Sequence, residues 1–146
     1  MSKKLHRANE IMSRDEYTCV VIKDERIYTS KERGVKPLLT WLEDGEDMQG
    51  ASAADKVVGK AAAFLYVKLQ IKEVYAGVIS APACAVLEQC GISVQYGQKV
   101  DAIRNRANTG FCPMETAVLD IEDTDAALTA IKEKVKSMQV TIPANM

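Results

Sequence analysis

The side chains best suited to chemistry fall in three short segments: Ser52-Ala53-Ala54-Asp55-Lys56, Ser80-Ala81-Pro82 and Cys112-Pro113-Met114-Glu115. Each reads as the start of a helix. Such starts expose unpaired backbone N–H groups and the positive end of the helix dipole, so several meeting at one sheet edge would form a pocket for a small polar or anionic ligand. Asp55 and Glu115 are candidate acid–base groups. Cys112 is the candidate nucleophile, since a thiol at a helix start near Arg104 or Arg106 has its thiolate favoured. Ser52, Lys56, Ser80, Arg104, Asn105 and Arg106 complete the set as ligand contacts, the paired guanidinium forks suiting carboxylate or phosphate.

Each of these residues also has a structural reading. Ser52 and Asp55 stand in the S-x-x-D spacing of a capping box, which accounts for the pair without any catalysis. Lys56 and Lys60, one helical turn apart, read as a solvated face unless the helix start is covered. Ser80 suits an N-cap. Cys112 suits a buried, inert position, because the chain's one histidine, His6, lies in a polar leader and offers it no base.

Composition narrows the function classes. Lys and Arg total 19 against 20 Asp and Glu, a net charge of −1, which argues against a dedicated nucleic-acid or membrane-surface binder. No apolar signal segment follows the amino terminus, and the longest apolar run, Ala61 to Val67, falls far short of the roughly 20 residues of a membrane span. A cytoplasmic protein is expected. The four cysteines have no C-x-x-C pair and are expected as free thiols.

Several elements must position these residues. Leu5, Ala8, Ile11 and Met12 have the spacing of a short amphipathic helix within the polar stretch 1–16. Thr18 to Lys23 and Arg26 to Ser30 read as a hairpin turning at Asp24-Glu25, followed by a helix over Val35 to Glu43. The capping box then predicts a helix starting at Ser52 and running into the apolar stretch Val57 to Leu69. Lys72 to Ser80 reads as a buried strand, Pro82 to Gln89 as a helix closed by Gly91, and Ile92 to Tyr96 as a strand parallel to the first. Pro113 opens another helix, and Thr124 to Met138 is an amphipathic one. Residues 97–111 either complete the sheet or cover the pocket. The whole chain, 1–146, reads as one three-layer α/β/α sandwich with a mixed sheet.

This order of elements resembles the cytidine-deaminase-like fold. The stretches Cys19-Val20-Val21-Ile22-Lys23, Tyr28 to Leu39, Gly50 to Ala62, Asn105-Arg106 and Cys112 to Glu115 are similar to an uncharacterised prokaryotic family of that superfamily, a domain of unknown function, over roughly residues 17–131. Active zinc deaminases of this fold carry H-x-E at one helix start and P-C-x-x-C at the next. Here Asp55 and Lys56 occupy the neighbourhood of the first motif. At the second, Pro82 matches, but Ala83 and Val86 replace the cysteines, and Cys84 lies one residue off, about 100° around the helix. The residues therefore oppose zinc-dependent deamination, and no metal or other cofactor is expected.

The expected function is a zinc-free deaminase-fold protein binding a small polar or anionic ligand, such as a nucleotide, in the degenerate active-site pocket. Two alternatives stay open: a metal-independent enzyme using Cys112 or Asp55 and Glu115, and a structural or regulatory oligomer. The expected partner besides the ligand is a second copy in a homodimer.

Overall fold

The computed structural model describes residues 1–32, 34–103 and 112–140. Among them, α1 (Lys3–Arg14) precedes a hairpin of β1 (Cys19–Lys23) and β2 (Arg26–Ser30). Then follow α2 (Lys36–Glu43), β3 (Ser52–Val58), α3 (Lys60–Lys68), β4 (Glu73–Ser80), α4 (Ala81–Gln89) and β5 (Ser93–Val100). Two helices, α5 (Pro113–Ala117) and α6 (Thr124–Val140), end the described chain.

The strands form one sheet in the order β2-β1-β3-β4-β5. β1 pairs antiparallel with both β2 and β3, whereas β3–β4 and β4–β5 are parallel, so the sheet is mixed as expected. Lys23 pairs with Arg26, leaving Asp24 and Glu25 as the two-residue turn. Asp24 adopts φ 53°, a left-handed conformation that a short polar side chain tolerates. The parallel pairs require crossovers, which α3 and α4 supply. α4 ends at Gly91, whose φ of +77° is the conformation glycine adopts after a helix at little cost.

The sheet separates two apolar layers. On one side α1 alone buries Ala8, Ile11 and Met12 against Val20, Ile22 and Ala54. On the other, the large core gathers residues of α2 to α6. α3 lies at its centre: Lys60 through Tyr66 are all buried, as befits a helix apolar on every side. Fully buried Phe64 and Leu65 each stabilise the fold by roughly 1.5–3 kcal/mol relative to exposure. Among the described residues no helix is long and apolar enough to cross a membrane.

One expected element is replaced. Ser52 to Val58 is not the beginning of a helix but the central strand, and α3 starts only at Lys60. Ser52 and Asp55 therefore form no capping box. The segment from Ala53 to Tyr66 is shared between a strand whose first residues are buried on both faces and a helix buried all round, and neither shows the alternation or the polar stripe that would mark its period. Gly59, extended at φ −97° and ψ 178°, is the real N-cap. β5 also runs four residues beyond the expected Tyr96, passing through Gly97 to Val100.

Candidate functional site

The carboxyl ends of β3 and β4 lie side by side, with Val58 in register with Ile79. The next residues, Gly59 and Ser80, are the N-caps of α3 and α4, so two helix starts open at the same sheet edge. Crevices at such edges are where open α/β sheets bind their ligands. Ser80 is fully buried and its hydroxyl accepts a hydrogen bond from the Ala83 N–H at 3.2 Å, the N-cap role expected of it.

Glu115 reaches this edge from α5. Its Oε2 accepts a hydrogen bond from the Ala61 N–H at 3.1 Å, placing a buried carboxylate on the first turn of α3. Gly59 leaves the room: a Cβ there would run into the Glu115 carboxylate. A negative group is favoured at that place because it meets unpaired N–H groups and the positive end of the helix dipole. Cys112, the half-buried N-cap of α5, donates its own N–H to the Ile103 carbonyl at 3.0 Å, and its side chain makes no cap bond.

Lys60 fastens the same unit. It was expected on a solvated face unless the helix start is covered, and the start of α3 is covered: Lys60 is 6% exposed as the first residue of a buried helix. Its Nζ donates to the Leu119 carbonyl at 3.1 Å, lies 3.6 Å from Glu122 Oε1, and sits 5.8 Å from the centre of the Phe64 ring.

The remaining candidates lie elsewhere. Ser52 is at the opposite end of β3, where its hydroxyl donates to Glu73 Oε2 at 2.5 Å and Ser2 donates to the same oxygen. Lys56 is exposed on β3 and its N–H bonds the Thr18 carbonyl. Asp55 points from mid-strand toward α3, where Tyr66 donates its hydroxyl to Oδ2 at 2.7 Å and the Val57 N–H bonds Oδ1 at 3.3 Å. Cys19, paired with Asp55 across β1 and β3, places its Sγ 3.4 Å from the same phenol oxygen. Arg104, Asn105 and Arg106 lie outside the described residues.

Burial sets the electrostatics of this second cluster. It pushes the Asp55 carboxyl up to about 7, against the opposing pull of the Tyr66 and backbone hydrogen bonds. Burial, followed by the charge of Asp55, also raises the Cys19 thiol and the Tyr66 phenol well above their usual ranges. Burial and then the charge of Glu88 raise the Cys84 thiol.

The helix start expected at Ser52 is corrected. Because α3 begins at Lys60, Asp55-Lys56 lies within β3 and the residues that open the helix are Gly59-Lys60-Ala61. At the second start Pro82, Ala83, Cys84 and Val86 fall on the first turns of α4 as expected. Among the described residues no three His, Cys, Asp or Glu side chains are grouped so as to hold a metal ion. The sequence reading missed Gly59, Tyr66, Cys19 and Glu73 as partners and marked Lys60 only for the case of a covered helix start. The one available signal was Tyr66, a hydroxyl inside an otherwise apolar run.

Together these features define a mixed-sheet α/β protein with two helix starts and a buried carboxylate at the ends of its parallel strands. The chain belongs to the family described as domain of unknown function DUF1893 (TM1506), whose model matches residues 7–135. It is similar to the crystal structure of a DUF1893 family protein (TM1506) from Thermotoga maritima, with a TM-score of 0.84 and 28% identity over 92% of each chain. A diaminohydroxyphosphoribosylaminopyrimidine deaminase/5-amino-6-(5-phosphoribosylamino)uracil reductase from the same organism matches at a TM-score of 0.41 and 18% identity. That match covers 64% of this chain and 35% of the other. No curated protein sequence matches the chain.

Proposed function

We propose that the protein is a zinc-independent, deaminase-like binder of a small polar molecule, held at the carboxyl ends of β3 and β4. The observation that carries this reading is the Glu115 carboxylate seated over Gly59 on the first turn of α3, at the sheet edge where Ser80 opens α4. A buried carboxylate there recognises a hydrogen-bond donor, such as the amide or amino group of a nucleobase. It disfavours a phosphate at the same helix start, since like charges repel. The ligand contact is thus assigned to Glu115, with Cys112 flanking it on α5, while the fully buried Ser80 hydroxyl caps the neighbouring helix start. The topology supports the deaminase-like relation: a hairpin leads into parallel strands whose crossover helices both start at one edge.

A thermal-shift panel of nucleobases, nucleosides, nucleotides and phosphorylated metabolites tests the proposal. A binder should raise Tm with the logarithm of its concentration, as linkage requires. The shift should shrink in Glu115→Gln while a phosphate-only compound gives none. If no compound shifts Tm and the protein forms a concentration-dependent dimer, the structural reading replaces this one.

A further inference from the structure

Asp55 occupies the central strand of the sheet, 7% exposed, with no cation against it among the described residues. The charged side chains of the elements packed around it are engaged elsewhere. On β1, Lys23 lies 4.0 Å from Asp47; on β4, Glu73 accepts from Ser52. On α3, Lys60 and Lys68 pair with Glu122 and Asp125. Lys56 on β3 itself is exposed, and Glu115 on α5 bonds Ala61. What Asp55 meets is the Tyr66 hydroxyl and, behind it, the Cys19 thiol.

These three groups hold a countable number of protons. With Asp55 ionised, Tyr66 donates to the carboxylate and the Cys19 thiol donates to Tyr66, leaving a negative charge buried without a counter-ion. With Asp55 protonated, its hydroxyl can donate to Tyr66 and the phenol can turn its proton toward Cys19 Sγ. The row is then neutral and both contacts are still hydrogen bonded, with only the weakly donating Cys19 S–H turned out of the row. Both arrangements fit the same heavy-atom positions, and only the first carries the cost of a desolvated charge.

We propose that Asp55, Tyr66 and Cys19 form a proton-operated latch between the central strand and α3, which adds most to the stability of the fold while Asp55 holds its proton. When the proton leaves, the Tyr66 bond itself strengthens, but the latch loses that contribution to a buried charge without a counter-ion. Burial holds the folded carboxyl at about 7 against an ordinary 3.8. The folded state therefore binds more protons than the unfolded state between these values. The latch's contribution is complete below about pH 4 and is lost as pH rises toward and through 7, the reverse of an ordinary salt-bridged aspartate. The latch lies at the middle of β3 and does not depend on which ligand the crevice takes.

Urea unfolding of the full chain and of Asp55→Asn between about pH 5 and about pH 8 tests the latch. The unfolding constant of the unchanged protein should rise at least about tenfold more over this range than that of the variant, whose amide neither gains nor loses a proton. Parallel profiles overturn the proposal. A carboxyl NMR titration of the unchanged protein gives a second reading that needs no variant. Titration of Asp55 near 7 supports the latch, and titration near 4 overturns it. In Tyr66→Phe the same resonance should titrate higher still, because the ionised form loses its donor.

Discussion

Glu115 and Asp55 are both buried carboxylates lodged against α3, and the partners they find there are of opposite kinds. Glu115 meets the helix at its first turn, where a backbone N–H would otherwise lack a bond. Asp55 meets it at Tyr66, five residues further on or about 7 Å along the axis, where every backbone group is already paired and only a side-chain hydroxyl is available. One end of the helix therefore supports a negative charge, and its middle resists one. A carboxylate at the first place can serve recognition at a sheet edge. At the second it responds to pH.

The sharpest way to break this contrast is to remove the space that Glu115 uses. Gly59→Ala adds a methyl group where the carboxylate sits. Its backbone is extended, so alanine suffers no left-handed strain, and the damage comes from the displaced charge and the uncapped Ala61 N–H. Urea unfolding should show a loss of about 2 kcal/mol. Glu115→Ala alone should cost about 1–2 kcal/mol. The double variant should cost clearly less than the two losses combined, because the second methyl enters space the first change has emptied. Simple additivity would mean that Gly59 is not shaped around Glu115.

The middle of the helix is sharpened by Tyr66→Phe, which removes the phenol hydroxyl and keeps the ring. Near pH 8, where Asp55 is ionised in the fold, the loss should be about 2 kcal/mol, the scale of a hydrogen bond to a charged group. Near pH 5 the bond is between neutral groups, and the loss should fall to about 1 kcal/mol. Equal losses at the two pH values would count against a charged Asp55 near neutrality.

The two carboxylates also differ in how they could be read from the chain. The hairpin and the β4-α4-β5 unit were legible because propensity, turn residues and apolar period agree there: Asp24-Glu25 turns the hairpin, Ser80 and Pro82 open α4, and Gly91 closes it. Ser80 and Glu115 could be marked by their position at helix starts. The β3–α3 segment was misread because Ser52-x-x-Asp55 mimics a cap, while burial on both faces erases the strand's alternation. The long-range pairings escaped for a different reason. Glu115 is 54 residues from Ala61, and Cys19 is 47 from Tyr66. Those contacts exist only once the sheet order is set. β5 was cut short at Gly97, which in the fold lies against β4, where an added Cβ would come within 3.0 Å of the Gly77 carbonyl.

At the neighbouring helix start, Ser80→Ala tests whether α4 depends on its cap as α3 depends on Glu115. The hydroxyl satisfies one orphan N–H, that of Ala83, and no charge is involved. The expected loss is about 1 kcal/mol by urea unfolding, smaller than for Gly59→Ala. With ligand bound, the same variant should lose affinity if Ser80 is also a contact. An unchanged affinity would confine Ser80 to capping and leave recognition to Glu115.

The smallest effect separates two bonds made by one lysine. Lys60 holds the turn after α5 through the Leu119 carbonyl and through Glu122, whose side chain is 80% exposed. An ion pair with one partner so open to water contributes little, because solvent screens it and the long side chain loses freedom on forming it. Glu122→Ala should therefore change stability by less than about 0.5 kcal/mol, and added salt should erase even that. Lys60→Met keeps the apolar stem over Phe64 but leaves the Leu119 carbonyl without its donor, and it should cost about 1 kcal/mol at any salt concentration. Were the ranking reversed, the segment carrying Glu115 would be held to α3 by surface charge, and the carboxylate over Gly59 would loosen with ionic strength.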